Sequence, residues 1–86
     1  MRTLQVASAA VRRSAAEALG RLGHKAAAPA IRAALAKETD AHALADELYA
    51  LARLGHRDAG KLCAKYKDDP HPVLRAEAAR AEGLIE

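Results

Sequence analysis

The stretch Ala18–Ala27, Ala-Leu-Gly-Arg-Leu-Gly-His-Lys-Ala-Ala, returns 32 residues later as Ala50–Ala59, Ala-Leu-Ala-Arg-Leu-Gly-His-Arg-Asp-Ala. Seven of the ten positions are identical, and Lys25 is replaced by the equally cationic Arg57. Self-similarity at a period of about 30 residues is the signature of stacked supersecondary units, each of which buries its apolar face against a neighbour. The sequence therefore predicts a repeat protein, and this repeat limits every functional interpretation that follows.

Composition indicates helices only. The chain has 86 residues, a length typical of one domain, and 51% of them are apolar although Trp and Phe are absent and only two residues are Tyr. Alanine, the best helix former, supplies much of the remainder, and its small side chain lets helices approach closely. We expect a single all-α domain over residues 1–86.

Cysteine content and hydropathy indicate in which cellular compartment the protein is expected. The single cysteine, Cys63, has no partner for an internal disulfide, and no secretory leader pattern precedes the first repeat. No uninterrupted apolar run approaches the roughly 20 residues that a membrane-spanning helix needs. We expect a soluble cytoplasmic protein that does not contact a membrane.

Apolar spacing places a first helix that ends at Gly23. Positions from Leu4 to Leu22 follow helical spacing, and a glycine after Leu22 suits the left-handed residue that ends a helix. Thr3 or Ser8 is the candidate N-cap, and we expect a break or bend near Ser8. Pro29 requires the second helix to begin within a turn before it, near Lys25 or Ala26.

Three more helices follow. Asp40 resembles an N-cap for the third helix, which carries the most apolar stripe of the chain and is therefore predicted to be central. The fourth helix ends before Asp68–Pro72, and the fifth begins at those prolines. The expected repeats cover about 8–38, 39–69 and, in part, 70–86, which makes two helical hairpins and the first helix of a third.

Two segments resemble a known family. Val11–Gly23 is similar to the first helix of a short HEAT-like repeat, of the type found in phycobiliprotein lyases, and Asp69–Arg75 is similar to its repeat-opening turn. The resemblance covers about residues 8–86 and implies a short α-solenoid that acts chiefly as a protein-binding scaffold. The tetratricopeptide repeat ranks second, because its period of about 34 residues and its aromatic positions are missing.

The chain departs from that pattern at two places. His24 and His56 stand where the resemblance implies an acidic residue after the second glycine, so the capping contact of that acidic residue is not expected in this chain. Leu44 stands where Arg12 and Arg75 stand in the neighbouring repeats, which interrupts an arginine ladder between repeats.

No constellation of residues predicts catalysis or a cofactor. Equivalent residues of adjacent repeats lie about 8–10 Å apart, too far for His24 and His56 to share one metal ion. His42 and Asp46 are an ordinary surface pair at i, i+4, and Cys63 lies on an apolar stripe, where a free cysteine packs as a small hydrophobe. Phosphate loops and paired-carboxylate signatures are missing, so we expect a non-enzyme without metal or cofactor.

Charge is more informative. Residues 1–37 carry a net charge of +6 and residues 51–67 a net charge of +4, whereas residues 38–50 and 68–86 are acidic. In HEAT-like solenoids the second helix of each repeat lines the concave surface, so the resemblance implies a basic groove that binds an acidic protein partner. Phosphates of a nucleic acid are the alternative ligand, and a merely solvated face is the simplest interpretation. The predicted binding residues are Lys25, Arg32, Arg57, Lys61 and Lys65.

The ends of so short a solenoid are expected to self-associate. Neither the Leu4–Val11 face nor the Leu74–Ile85 face has the polar outer side that caps repeat proteins. We expect a homodimer through a terminal helix, or a larger host protein in its place.

Overall fold

The computed structural model describes residues 8–85. Five helices follow one another, α1 (Ala9–Leu22), α2 (Ala28–Lys37), α3 (Ala41–Arg53), α4 (Ala59–Tyr66) and α5 (Pro72–Glu82), with a short 3₁₀ turn at Lys25–Ala27 before α2. The described residues contain no β-strand. The predicted all-α architecture, two helical hairpins followed by a fifth helix, is confirmed.

Repeated caps set the helix boundaries. The Ser8 hydroxyl accepts a hydrogen bond from the backbone N–H of Val11, and the Asp40 carboxylate accepts one from that of Ala43. Such side chains satisfy an amide that the first helical turn leaves unpaired. Gly23 and Gly55 follow α1 and α3 with φ angles of 67° and 72°, the left-handed conformation that glycine adopts without steric cost. Thr3, the other candidate cap, lies outside the described residues.

The second helix begins in two stages. The predicted start at Lys25 or Ala26 coincides with the 3₁₀ turn, in which the N–H of Ala27 donates to the carbonyl of His24. The α-helical bonding pattern begins only at Ala28, with Pro29 in its first turn. Because proline has no N–H to donate, it is tolerated only in such a first turn.

α3 is the centre of the fold. It packs between α1 and α5 in a first layer, while α2 and α4 lie in a second layer, α2 mainly against α3 and α4 mainly against α5. Leu48 and Leu51 are fully buried, as predicted for the most apolar stripe. One core cluster runs through all five helices and consists mostly of alanine and leucine.

The first layer is closely spaced at Gly20. A Cβ atom built on Gly20 would lie 3.2 Å from both Cα and Cβ of Ala50, which is tighter than ordinary van der Waals contact. The Nε–H of Arg53 donates to the carbonyl oxygen of Gly20 at 3.2 Å, and Arg13 pairs with Asp46 at 2.9 Å. α1 and α3 are therefore held by a close backbone contact and two polar contacts.

The two predicted apolar flanks differ. The expectation of an exposed apolar flank at Leu74–Ile85 is wrong for the helix itself, because Leu74, Ala78 and Ala81 are buried in the core, and the exposed Leu84 and Ile85 (39% and 37%) follow the end of α5. α5 turns this face inward against α3 and α4. On the other side, Val11 is 43% exposed, whereas Leu4 lies outside the described residues.

Leu48→Ala should strongly destabilise the fold, because it leaves a cavity in fully buried α3. The expected loss in the free energy of unfolding is about 2–5 kcal/mol. Urea denaturation followed by circular dichroism measures it. Leu22→Ala is the matched control, since Leu22 is 79% exposed and should lose almost nothing. Equal stability of the two variants would contradict the central position of α3.

Candidate functional site

Positive charge is concentrated on the second layer. The segments 25–37 and 57–67, which contain α2 and α4, carry seven cationic side chains and one acidic side chain. By contrast, α1, α3 and α5 together carry six cationic and five acidic side chains. We call the second-layer surface the basic face, and define it by the five predicted residues Lys25, Arg32, Arg57, Lys61 and Lys65.

Four residues of the basic face are exposed cations. Lys25 lies in the 3₁₀ turn, Arg57 in the turn before α4, and Lys61 and Lys65 lie one helical turn apart on α4. Arg57, Lys61 and Lys65 are spaced four residues apart, which predicts one stripe along a helix, but only the two lysines are helical because α4 begins at Ala59. None of the four forms an ion pair with an acidic residue between positions 8 and 85.

Arg32 has a different role from the other four. Its Nε lies 3.1 Å from Oδ2 of Asp58, the only acidic residue in the two second-layer segments. This hydrogen bond lowers the pKa of the Asp58 carboxyl, so Asp58 stays ionised and Arg32 stays paired. The pair ties α2 to the start of α4, which makes Arg32 an inter-repeat contact at the edge of the basic face.

The side chains between these cations are small. Ala33 and Ala36 on α2, and Gly60 and Ala64 on α4, are exposed. Tyr66 is partly buried, and the Nζ of Lys65 lies 5.2 Å from the centre of its ring. The basic face therefore offers positive charge without large apolar anchors.

The histidines shape turns. Nδ1 of His56 accepts from the N–H of Asp58 at 3.1 Å, and Nδ1 of His71 accepts from the N–H of Val73 at 3.2 Å. His56 thus makes a local capping bond where the family usually has an acidic residue, whereas His24 makes no such bond. The predicted surface pair of His42 and Asp46 does not form: Asp46 binds Arg13, and the His42 ring lies edge-on to that of His71, with centroids 6.1 Å apart. Among residues 8–85, no group of three or more His, Cys, Asp or Glu side chains is placed to hold a metal ion.

Cys63 lies in the core, as its position on the apolar stripe predicts. The side chain is fully buried, and burial raises the pKa of the thiol. Because the thiolate is the nucleophilic form, this environment makes the cysteine inert.

Comparison with known proteins identifies the repeat. The sequence pattern of HEAT repeats matches residues 2–83, nearly the whole chain. The chain belongs to the HEAT repeat family. No curated protein and no solved structure matches it significantly, so the phycobiliprotein-lyase type stays a prediction. No helix in the described part of the chain is long and apolar enough to cross a membrane.

One core position of the HEAT repeats holds an acidic residue, which the apolar pattern of the sequence does not indicate. Glu47 is fully buried on α3, and its carboxyl oxygens accept no hydrogen bond from the described residues, so the protonated carboxyl group donates its own hydrogen bond to the neighbouring Glu38 carboxylate. Burial, followed by the hydrogen bond to Glu38 and the negative charge of that carboxylate, raises the pKa of Glu47 to about 9. The repeat-equivalent residues Ala15 and Ala78 are alanines, so alignment of the repeats was the signal that could have revealed this position.

The neighbouring carboxyl group of Glu38 has a pKa that is shifted in the opposite direction. Arg12 binds both of its carboxylate oxygens, at 2.8 and 2.7 Å, and joins α1 to the loop between α2 and α3. Burial opposes ionisation of Glu38, but the hydrogen bonds from Arg12, Glu47 and the backbone N–H of Asp40, together with the positive charge of Arg12, outweigh it and lower the pKa of Glu38 to about 2. Two adjacent carboxyl groups are therefore held in different states, Glu38 charged and Glu47 neutral. Because Glu47 has no exposed atom, a ligand cannot reach this pair of carboxyl groups. The pair therefore belongs to the packing between repeats and not to a binding site.

Glu47→Gln should stabilise the protein increasingly as the pH rises. The pKa of Glu47 is about 9 in the folded protein and about 4.5 in the unfolded chain, so between these pH values the folded protein keeps a proton that the unfolded chain releases. Glu47 therefore lowers the free energy of unfolding of the native protein progressively as the pH rises through this range. The variant should gain about 1.4 kcal/mol over the native protein for each pH unit above 4.5, or roughly 3 kcal/mol at pH 7.

Urea denaturation of both proteins between pH 4.5 and 8 measures this difference. Glu17→Gln serves as the control, because that side chain is 62% exposed and its replacement should leave the pH dependence unchanged. A difference between Glu47→Gln and native protein that stays constant over this range would show that Glu47 is charged in the folded state.

Proposed function

We propose that this chain is a non-catalytic HEAT-repeat adaptor in which the basic face binds an acidic protein partner. The proposal treats residues 1–86 as one domain with repeats at about 8–38, 39–69 and 70–86. HEAT repeats generally mediate protein–protein interaction. The single observation that carries the proposal is the separation of charge: the second layer has an excess of cations, and four of the five on the basic face lack an acidic partner among residues 8–85. A lone buried thiol suits a reducing cytoplasm.

Unpaired surface cations favour binding over stability. Exposed like charges repel weakly within a helix, so a cluster of them adds nothing to folding. The same cluster attracts an acidic surface over a Debye length of about 10 Å at moderate salt and increases the rate of encounter. Lys61 and Lys65 on α4, with Arg57 before them and Lys25 beside α2, provide such a cluster.

Nucleic acid is the second candidate, because phosphates are recognised by the same side chains. The only aromatic residues, Tyr49 and Tyr66, are poorly placed for base stacking: both are partly buried, and Tyr49 lies beneath the guanidinium of Arg80 at 4.7 Å. Any nucleic-acid binding by this face would therefore depend on backbone phosphates alone and lack sequence preference.

Reversal of Arg57, Lys61 and Lys65 to Glu should abolish binding and leave the fold intact. These side chains are exposed and take no part in the core, whereas an acidic ligand would lose every favourable contact with them. Thermal unfolding by circular dichroism measures the fold. Binding is measured by biolayer interferometry on immobilised polyglutamate, which imitates an acidic protein surface, and on random-sequence duplex DNA.

The two ligands separate the two candidates. An adaptor for acidic proteins should bind polyglutamate and, in pull-downs, retain acidic proteins that the triple variant loses. A phosphate binder should prefer DNA, with log affinity falling by about 0.9 per phosphate contact for each unit of log salt, and the triple variant should flatten this slope.

A matched control makes the same change in net charge on the first layer. Lys61→Glu is compared with Arg21→Glu, which reverses one exposed cation on α1. Equal loss of binding by these two single variants would mean that net charge alone drives binding. Full binding by the triple variant would mean that the basic face is only solvated surface.

A further inference from the structure

The outer side of α1 exposes an apolar face that its repeat equivalents bury. Val11 and Leu22 are 43% and 79% exposed, and Ala18 between them is also exposed. The equivalent residues 32 positions later on α3, Ala43, Ala50 and Leu54, are at most 3% exposed, and α1 packs against this helix with Gly20 facing Ala50. On α5 the equivalents Leu74 and Ala81 are likewise buried, and Ile85, the equivalent of Leu22, is 37% exposed. No helix among residues 8–85 covers this side of α1, which we call the open face.

The outer side of α5 is the reverse case. Ala76, Ala79 and Gly83 lie along it and are exposed. Their equivalents on α3, Ala45, Leu48 and Ala52, are at most 4% exposed on the helix against which α5 packs, and their equivalents on α1 include fully buried Ala16 and closely packed Gly20. The outer side of α5 therefore corresponds to the surface by which α1 packs against α3 and α3 packs against α5.

We propose that two copies of this chain associate head to tail, so that the outer side of α5 in one copy covers the open face of α1 in the next. The contact repeats the register of the α1–α3 interface within one chain. There Gly20 lets α1 approach the backbone of Ala50. In the proposed contact Gly83 meets Ala18, and Gly83 retains the required helical backbone angles, φ −66° and ψ −15°.

The polar contacts of the same register are also complementary. Within the chain, the Nε–H of Arg53 donates to the carbonyl of Gly20, and the corresponding pair between copies is Arg21 with the carbonyl of Gly83. Within the chain, Arg80 of α5 lies over Tyr49 of α3, and the corresponding pair between copies is Glu17 with Arg80. The cation–π contact within the chain thus corresponds to a pair of opposite charges between the two copies.

The polar side chains of α5 that face the second layer do not oppose this stacking of copies. On α5, the side that faces the second layer carries Arg75 and Glu82, which are already bound within the chain. Arg75 donates to the carbonyls of Asp69 and Pro70, and Glu82 pairs with Lys67. These polar groups need no further second-layer helix to cover them. The proposed contact is heterologous, with different surfaces on the two copies, so association does not stop at a symmetric dimer.

Two variants that each block one end test the arrangement. Ala18→Glu places a charge in the open face of α1, and Ala79→Glu places one on the outer side of α5. Both residues are exposed and helical, so the monomer should fold, which circular dichroism verifies. Ala10→Glu is the control, because Ala10 is exposed on α1 but lies outside the open face. Sedimentation equilibrium over a range of concentrations measures the mass.

The native protein and the control should show a weight-average mass that rises above 9.1 kDa with concentration and exceeds that of a dimer. Each blocked variant should stay at the monomer mass at every concentration. An equimolar mixture of the two should form a 1:1 complex of twice that mass, because each retains one intact end. Ala18 and Ala79 lie outside the basic face, so both variants should keep its ligand binding.

Three results would overturn the proposal. A native protein that stays monomeric at all concentrations would show that the open face takes no second copy. Self-association by Ala79→Glu as strong as that of the native protein would indicate that α1 pairs with α1, or with another surface. Loss of association in the Ala10→Glu control would attribute the effect to added charge rather than to the open face.

Discussion

The contact between Gly20 and Ala50 sets the spacing of the first layer. Without a side chain at position 20, α1 approaches the backbone of α3 directly, and only small residues fit along the seam between them. The core is accordingly built from alanines, which contribute little buried area each, and from a few leucines concentrated on α3. Stability of so small a domain therefore depends on close helix approach, and any residue that separates α1 from α3 affects the whole core.

The close spacing also determines where polar groups lie. Between the first-layer helices, guanidinium groups reach across to a carboxylate, a carbonyl or an aromatic ring: Arg13 to Asp46, Arg53 to Gly20, and Arg80 to Tyr49. Arginine suits such contacts, because its planar group donates several directed hydrogen bonds and stacks on rings. On the second layer, lysines predominate and most of them remain without an acidic partner between residues 8 and 85. The two layers thus use similar numbers of cations for different purposes, cohesion in one and an accessible charge in the other.

Local signals made most of the fold predictable. Caps at Ser8 and Asp40, the glycines after α1 and α3, and the prolines before α5 act within a few residues, so the sequence shows them directly. Contacts between distant residues could not be predicted in the same way. The pairing of Arg32 with Asp58 removes one cation from the basic face, and the inward turn of Leu74 covers a flank that seemed exposed; both depend on how the repeats stack. Glu47 shows a further limit, because helical periodicity places it on a core-facing side while its chemistry indicates the surface.

Cys63 gives this fold an intrinsic reporter of its own opening. It is the only cysteine in the sequence and is fully buried between α4 and the rest of the core, with a thiol that burial keeps protonated. A thiol reagent can reach the sulfur only when α4 separates from the core or the chain unfolds. The labelling rate, divided by that of an unfolded reference, equals the fraction of molecules open at any moment. The native sequence thus permits direct measurement of how readily the last second-layer helix in the described chain detaches.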